Sequence, residues 1–435
     1  MTGPAHQPTV AFAGMTHLGL NSAVALAADG FSVICFDPES ARIAALRDGR
    51  ASINEPDLDD LVRSNADRLT FTNDPAGLAL CDVCYVAPDV ATDDTGTSDL
   101  GPIHQLVDTV DGALGQDATM VILSQVPPGF TRHLRRPATH RYYQVETLIF
   151  GKAIARARHP ERYILGCEDP DRPLPTAFQA VLDARDCPIL KMRYESAELA
   201  KIAINACLVA SISAANSLAE LCERIGADWR EIVPALRLDR RIGAHAYIDP
   251  GLGIAGGNLE RDLATVIRLA SEKGTDASVL QAWLGNSRHR RDWVLTRLHD
   301  TVLSTHERPR LALLGLAYKE HTNSTKNAPA LALLAALGNC DIRAYDPAVE
   351  VKPGWHPSLA QVSNSLAACR DADAVIVMTP WPEFAAIDPR EVADNMRGET
   401  IIDPFGVFDT HACIDAGLSY HRLGAGPAAG PKRSQ

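Results

Sequence analysis

From residue 195 to about residue 225 the chain runs without proline or glycine, rich in alanine and mostly apolar. A helix apolar over so much of its circumference has to be covered on several sides. The segment therefore predicts a long helical spine between domains, and it offers a natural dimer surface. Whatever flanks this helix must be a separate folding layer.

Upstream, residues 9–13 read as an apolar strand, followed by a turn and a helix to about residue 28. A second strand over 32–36 ends at Asp37, and strand patterns recur at 82–87 and 120–123. Downstream, strands are expected at 311–314, 341–345, 374–378 and 400–402, with a helix over about 329–337. Alternation of this kind means a parallel sheet covered by helices. The expected class is α/β: two Rossmann-like parallel-sheet domains joined by the long helix and a helical middle domain. The expected boundaries are 1–190, 191–305 (helical apart from a Gly-rich segment at 251–257), 306–424, and a loose tail over 425–435.

A length of 435 residues suits about three domains at ~150 residues each. The net charge of −12 argues against a general nucleic-acid or anionic-membrane surface. Nothing at the N-terminus resembles a signal peptide, and no continuous apolar run reaches the ~18 residues of a spanning helix. The ten cysteines are scattered, which suits reduced thiols in a cytoplasm. Cys81-Asp82-Val83-Cys84 reads as the start of a buried strand; with no second Cys or His pair nearby, no metal site is expected.

Gly14-Met15-Thr16-His17-Leu18-Gly19 follows the first strand and opens the first helix. It matches the dinucleotide fingerprint G-x-G-x-x-G except at Thr16, and taken alone it also fits a plain strand–helix turn. Asp37, 23 residues after Gly14, adds the acidic group that would accept hydrogen bonds from ribose hydroxyls and repel a 2′-phosphate. NAD is favoured over NADP. Arg42 lies five residues on, within reach of the adenosine side, and also reads as an ordinary surface residue.

Further landmarks follow in order: Ile53-Asn54-Glu55-Pro56-Asp57-Leu58, Ser124-Gln125-Val126-Pro127-Pro128-Gly129, Val145-Glu146-Thr147-Leu148, and Glu198-Leu199-Ala200-Lys201 with Asn205. Asp239-Arg240-Arg241-Ile242-Gly243, Tyr247-Ile248-Asp249-Pro250-Gly251, Gly253–Asp262, Gly315-Leu316-Ala317-Tyr318-Lys319, Tyr345-Asp346-Pro347 and Trp381-Pro382-Glu383-Phe384 complete the set. In this register the chain resembles the UDP-glucose/GDP-mannose dehydrogenase family over nearly its whole length.

The resemblance implies an NAD-dependent enzyme whose first α/β unit binds NAD and whose second binds the nucleotide of a sugar. By the same likeness Lys201 with Asp262 would position a water that removes the alcohol proton, and Asn205 would serve the developing oxyanion. Glu146 matches the carboxylate near the reacting carbon. Lys201 and Asn205, four apart, also read as a polar notch at a domain interface. Thr147, Leu148 and Gly253 fall in the substrate-binding segments. Lys319 would hold the sugar or phosphate as a point charge. Arg241 would reach a substrate hydroxyl or phosphate, or else form a surface salt bridge. Tyr247 would line the pocket or fill the core.

The likeness fails where it matters most. In Gly253-Ile254-Ala255-Gly256-Gly257-Asn258, asparagine stands at the position of the family's nucleophilic cysteine, and no other cysteine lies in the loop. That cysteine captures the aldehyde from the first oxidation so that a second can follow. Gln125, Pro88-Asp89-Val90-Ala91, Lys326 and Pro404-Phe405-Gly406 also depart; Gln125 and Lys326 are expected on the cofactor side, and Phe405 removes an expected substrate arginine.

The expected function is therefore a two-electron oxidation of a nucleotide sugar, secondary alcohol to ketone. The Tyr247–Gly251 lead-in resembles GDP-sugar members, which include an antibiotic-pathway relative acting on a GDP-octose. A four-electron dehydrogenase, a redox-neutral epimerase retaining NAD and a non-catalytic nucleotide-sugar binder are the alternatives. The expected partners are a nucleotide sugar and a second copy of the chain.

Overall fold

The computed structural model describes residues 7–51, 53, 55–91, 93 and 98–429. Asn54 of the Ile53–Leu58 landmark and residues 430–435 of the expected tail lie outside the described residues. Contacts divide the chain into two compact units, Met1–Ile204 and Asn205–Gln435.

The first unit carries an eight-stranded sheet: β1 (Val10–Ala13), β2 (Val33–Phe36), β3 (Leu69–Thr72), β4 (Val83–Val86), β5 (Thr119–Ile122), β6 (Arg141–Gln144), β7 (Tyr163–Cys167) and β8 (Ile189–Arg193). The spatial order is β3-β2-β1-β4-β5-β6-β7-β8. All pairs are parallel except β6 with β7. Every residue of β1, β4 and β5 is buried, as expected of central strands covered on both faces. The order reverses between β1 and β4, so the crevice beyond their carboxyl ends is where a Rossmann sheet takes its ligand.

The second unit has β9 (Arg310–Leu314), β10 (Asp341–Tyr345), β11 (Leu359–Gln361), β12 (Ala374–Val377), β13 (Thr400–Ile402), β14 (Ser419–His421) and β15 (Ala428–Ala429). Their order is β11-β10-β9-β12-β13-β14-β15, parallel except for β14 with β15. Residues 425–429, expected to be loose, are instead tied down, because Ala425 bridges Asp228 and β15 extends the sheet.

The long helix is Tyr194–Ile225, 32 residues and therefore about 48 Å at ~1.5 Å per residue. By length and composition alone it is long and apolar enough to cross a membrane, a property the uninterrupted-run criterion missed. Core helices of soluble proteins share that property, and Ile202, Val209, Ala215, Ala219 and Cys222 are buried inside the fold.

The middle region corrects a second expectation. After the helix Trp229–Leu238 the chain stays non-helical from 239 to 257, a longer interruption than the Gly-rich 251–257 alone. Asp239 starts it by accepting from the backbone N–H of Arg241, and Gly243 takes a left-handed φ of +91°. Trp229 Nε1 donates to the Ile248 carbonyl and Gly251 N to Asn216 Oδ1, which ties the excursion back to the helices. Helices Asn258–Lys273, Ser278–Arg291 and Trp293–Leu298 then lead to the second sheet.

Candidate active site

In the first unit, the turn after β1 packs tightly against the first helix. Gly14 sits at φ +96°, and a Cβ on Gly19 would lie 1.8 Å from the Gly14 carbonyl oxygen. Only hydrogen fits there, so the first helix, His17–Ala28, starts hard against the turn. Leu18 is buried beneath it. Asp37 follows β2 and is buried; its Oδ2 accepts from Met15 N and from Arg42 Nη1, both at 2.7 Å, and its Oδ1 from Glu39 N at 2.9 Å. Asp37 and Arg42 are thus brought together beside the turn. Thr16 caps nothing within its own helix; its Oγ1 accepts from Asp89 N at 2.8 Å. Ser124, fully buried, donates to the Pro88 carbonyl at 2.5 Å, and Gln125 lies half-buried beside it.

His17 Nε2 meets Glu55 Oε1 at 2.8 Å, and its ring packs on Phe150 with centroids 4.0 Å apart. Glu55 also accepts from Gly151 N at 2.7 Å and Ala153 N at 3.3 Å. The dinucleotide turn is thereby linked to the segment that carries Glu146. Glu146 accepts from Leu148 N and pairs with Lys201 Nζ at 3.4 Å, both side chains being mostly buried. Glu146, Thr147 and Leu148 line a cavity of about 60 Å³, with Tyr85, Gln144 and Arg156. That volume suits a few waters and is far too small for a sugar nucleotide.

Glu198, one turn before Lys201, carries no role in the sequence reading, yet it is fully buried. Its carboxylate accepts from Gly129 N at 2.5 Å and Thr131 N at 2.9 Å, fastening the Ser124–Gly129 loop to the long helix. Burial holds its carboxyl above the usual carboxylate range against these hydrogen bonds. The available signal was an acid one turn before Lys201 on the same side of a mostly apolar helix.

In the second unit, Asn205 Nδ2 donates to Asp262 Oδ2 at 2.5 Å, and Arg261 Nε stands 3.3 Å from Asp262 Oδ1. Asp262 is 2% exposed. Lys201 and Asn205 occupy successive turns of the long helix. Each is fixed by its own carboxylate, Glu146 and Asp262.

The loop before Asn258 is packed from two sides. Gly253, at φ +75°, lies so close to Ser287 that a Cβ would come within 2.3 Å of its carbonyl oxygen, and Ile254 N donates to Ser287 Oγ. A Cβ on Gly256 would meet the Tyr318 ring at 3.1 Å, and one on Gly257 would meet Lys326 Cε at 3.1 Å and Nζ at 3.3 Å. Asn327, itself at φ +50°, donates to the Gly256 carbonyl and to Glu260. Asn258 is exposed and begins the helix Asn258–Lys273, whose N-cap is Gly257. Ala255 is half-buried in the same loop. Lys326 therefore stands beside the loop of Asn258, and Lys319 lies over Tyr318 with Nζ 5.8 Å from the ring centre.

Two expected substrate contacts lie at the surface of the second unit. Arg241 is 88% exposed and folded onto Asp239, whose carboxyl it holds below the usual range. Tyr247 is 52% exposed, which removes the core-aromatic alternative. Phe405 follows Asp403, a fully buried carboxylate satisfied by Phe405 N, Gly406 N, Phe408 N and the Tyr420 hydroxyl. Arg230 from the helix Trp229–Leu238 donates to the Phe405 and Gly406 carbonyls.

Known families fit this arrangement segment by segment. The NAD binding domain of the UDP-glucose/GDP-mannose dehydrogenase family matches residues 8–177, its central domain 195–287 and its UDP binding domain 312–410. The chain belongs to the UDP-glucose/GDP-mannose dehydrogenase family. It is an enzyme of the NAD-dependent nucleotide-sugar dehydrogenase type, and the turn at Gly14–Gly19 lies in its NAD binding domain.

UDP-glucose 6-dehydrogenase TuaD of Bacillus subtilis is 29% identical over 98% of this chain and 95% of its own length. The UDP-glucose 6-dehydrogenase of Pseudomonas aeruginosa is likewise 29% identical, over 96% of this chain and 97% of its own. Among solved structures, a UDP-glucose dehydrogenase from Pyrobaculum islandicum superposes with a TM-score of 0.82 at 26% identity, covering 93% of this chain and 95% of that one. A UDP-D-ManNAc dehydrogenase from Pyrococcus horikoshii has the same TM-score, 0.82, at 22% identity, covering 96% and 99%, a likeness of fold alone.

Proposed function

We propose that this family member performs a two-electron oxidation of a nucleotide-activated sugar, converting a secondary alcohol to a ketone. The carrying observation is Asn258. It opens a helix in an exposed loop position where the family resemblance places a thiol nucleophile, and an amide cannot form the thiohemiacetal that leads to an acid. The sequence holds no cysteine between Cys222 and Cys340. Those two are buried, with thiols pushed up by burial. Cys207, two residues beyond Asn205, faces away from it, because positions two apart on a helix point to opposite sides.

Bound NAD supplies the hydride acceptor. Lys201, oriented by Glu146, acts on the alcohol proton, and Asn205, oriented by Asp262, donates to the developing oxyanion. Asp262 fixes the Asn205 amide so that its free N–H points consistently. The likeness of Tyr247–Gly251 to GDP-sugar members favours a GDP sugar, such as the GDP-octose of an antibiotic-sugar pathway, while the named relatives are UDP-glucose enzymes. The enzyme works in the cytoplasm, where its ten unbridged cysteines stay reduced. It pairs as a homodimer through the outward stripe of Leu218, Leu221 and Ile225 on the long helix, exposed by 50%, 51% and 65%.

The test is incubation of the pure protein with NAD and a panel of GDP- and UDP-sugars, reading NADH against product mass. One NADH with loss of two hydrogens supports the reading. Two NADH with a new carboxylate overturn it in favour of a four-electron dehydrogenase. Product without net NADH overturns it in favour of an epimerase, and NAD binding with no product in favour of a binding protein.

A further inference from the structure

The N-terminus of the first helix already carries an anion. His17 N, the first donor of that helix, gives its hydrogen to Asp89 Oδ2 at 2.9 Å. The helix has no acidic residue of its own in its first turn and no side-chain cap from Thr16, so a carboxylate from 72 residues away fills that place. Nor is Asp89 there by accident of a floppy loop. Its backbone N–H is held by Thr16 Oγ1 at 2.8 Å, and the preceding carbonyl, of Pro88, is held by buried Ser124 at 2.5 Å. Pro88 itself lies against Gly14, where a Cβ would meet its nitrogen at 2.7 Å.

Those same first-turn N–H groups and the positive end of the helix dipole are what a Rossmann domain offers to the pyrophosphate of its dinucleotide. We propose that Asp89 is a cofactor-affinity determinant: its carboxylate competes with the NAD pyrophosphate for the N-terminus of the first helix, and the cofactor must displace it or bind beside it. Thr16 completes the device. At the position where the fingerprint has a glycine for close backbone approach, it supplies instead the oxygen that locks Asp89 in place. Either way, displaced or retained beside two phosphates, the carboxylate lowers affinity for phosphate-bearing ligands and leaves phosphate-free ones alone. The inference rests on the NAD-binding turn and is independent of which sugar is oxidised.

Asp89 is exposed, so solvent screening limits the effect to about three- to tenfold in dissociation constant. The experiment is calorimetric titration of the wild type and Asp89→Asn with NAD, ADP and adenosine, with circular dichroism to establish that the variant is folded. The expected result is NAD and ADP binding about three- to tenfold tighter in D89N, with adenosine unchanged. Equal tightening of all three ligands overturns the proposal, because that would be a looser turn rather than a lost charge. Unchanged or weaker NAD binding also overturns it. Asp89→Ser, which removes the charge with a smaller side chain, serves as the second variant and must shift in the same direction.

Discussion

Placing a thiol at position 258 tests directly whether the loop still has the field of a nucleophile site. Asn258→Cys would sit at the first position of a 16-residue helix whose N-cap, Gly257, contributes no side chain. Exposed helix N-termini favour a negative charge by about 0.3–1 kcal/mol, and up to about 2 when partly buried. Lys326, whose ammonium approaches a Gly257 Cβ position to 3.3 Å, adds a screened attraction of about 0.2–1 kcal/mol. At ~1.4 kcal/mol per pH unit the two together lower a thiol at this exposed position from about 8.5 to roughly 7–8. The thiolate fraction at pH 7.5 then rises from roughly a tenth to between about a quarter and three-quarters. The assay is the pH dependence of iodoacetamide alkylation, mapped by peptide mass so that exposed Cys207 serves as the internal reference. N258C should alkylate with a midpoint about half to one and a half pH units below an ordinary thiol, by the same arithmetic, and N258C/Lys326→Met should recover part of the difference. A midpoint at or above about 8.5 would refute the reasoning, since neither the helix end nor Lys326 would then act on the position.

Gly19→Ala should abolish NAD binding in calorimetry while leaving the helical signal, because a Cβ 1.8 Å from the Gly14 oxygen forces the helix off the turn. Glu198→Ala should lower the melting temperature measured by calorimetry: it orphans the N–H groups of Gly129 and Thr131, at about 1–3 kcal/mol each. The pH dependence of the same residue has a definite sign. Its carboxyl is raised by burial, so the folded chain binds that proton more tightly than the unfolded one. The resulting stabilisation is complete below the unfolded value of about 4.5 and is lost as pH rises through the folded value. Glu198→Gln should flatten that part of the stability–pH curve in urea titrations. Leu221→Glu should give a monomer in light scattering where the wild type forms the proposed homodimer, and an unchanged mass would remove the long helix from the interface.

Central strands were legible because they are continuous apolar runs: β1, β4, β5, β9 and β12 were all expected within a residue or two of their ends. Strands β3, β6, β7, β8, β11, β14 and β15 were not located; among them, an edge strand such as Ile189–Arg193 is half-exposed, and its sequence Ile-Leu-Lys-Met-Arg carries no such run. The long helix was read correctly from its missing prolines and glycines. The helix–loop boundary at Asp239 was not, because an aspartate capping its own turn looks the same in sequence as one on a helix surface. Of the site, motif spacing gave the residues but not their partners. The pairings Lys201–Glu146 and Asn205–Asp262 join residues 55 and 57 positions apart. Asp89 stood out only as part of the Pro88–Ala91 departure; that its carboxylate lies on the first helix is a fact of three dimensions.

The loop leading to Asn258 rests on side chains of the C-terminal nucleotide-binding domain: the Tyr318 ring under Gly256, Lys326 against Gly257, and Asn327 on the Gly256 carbonyl. That contact limits how the protein can be recombined. Grafting the C-terminal domain of a relative onto this chain, in the hope of exchanging one nucleotide base for another, would also replace the floor on which the reacting-end loop is built. A chimera that kept residues 316–328 from this chain should retain its chemistry while changing its base preference. One that exchanged them would inherit a new loop along with the new base, so the two halves of substrate choice are not separate modules here.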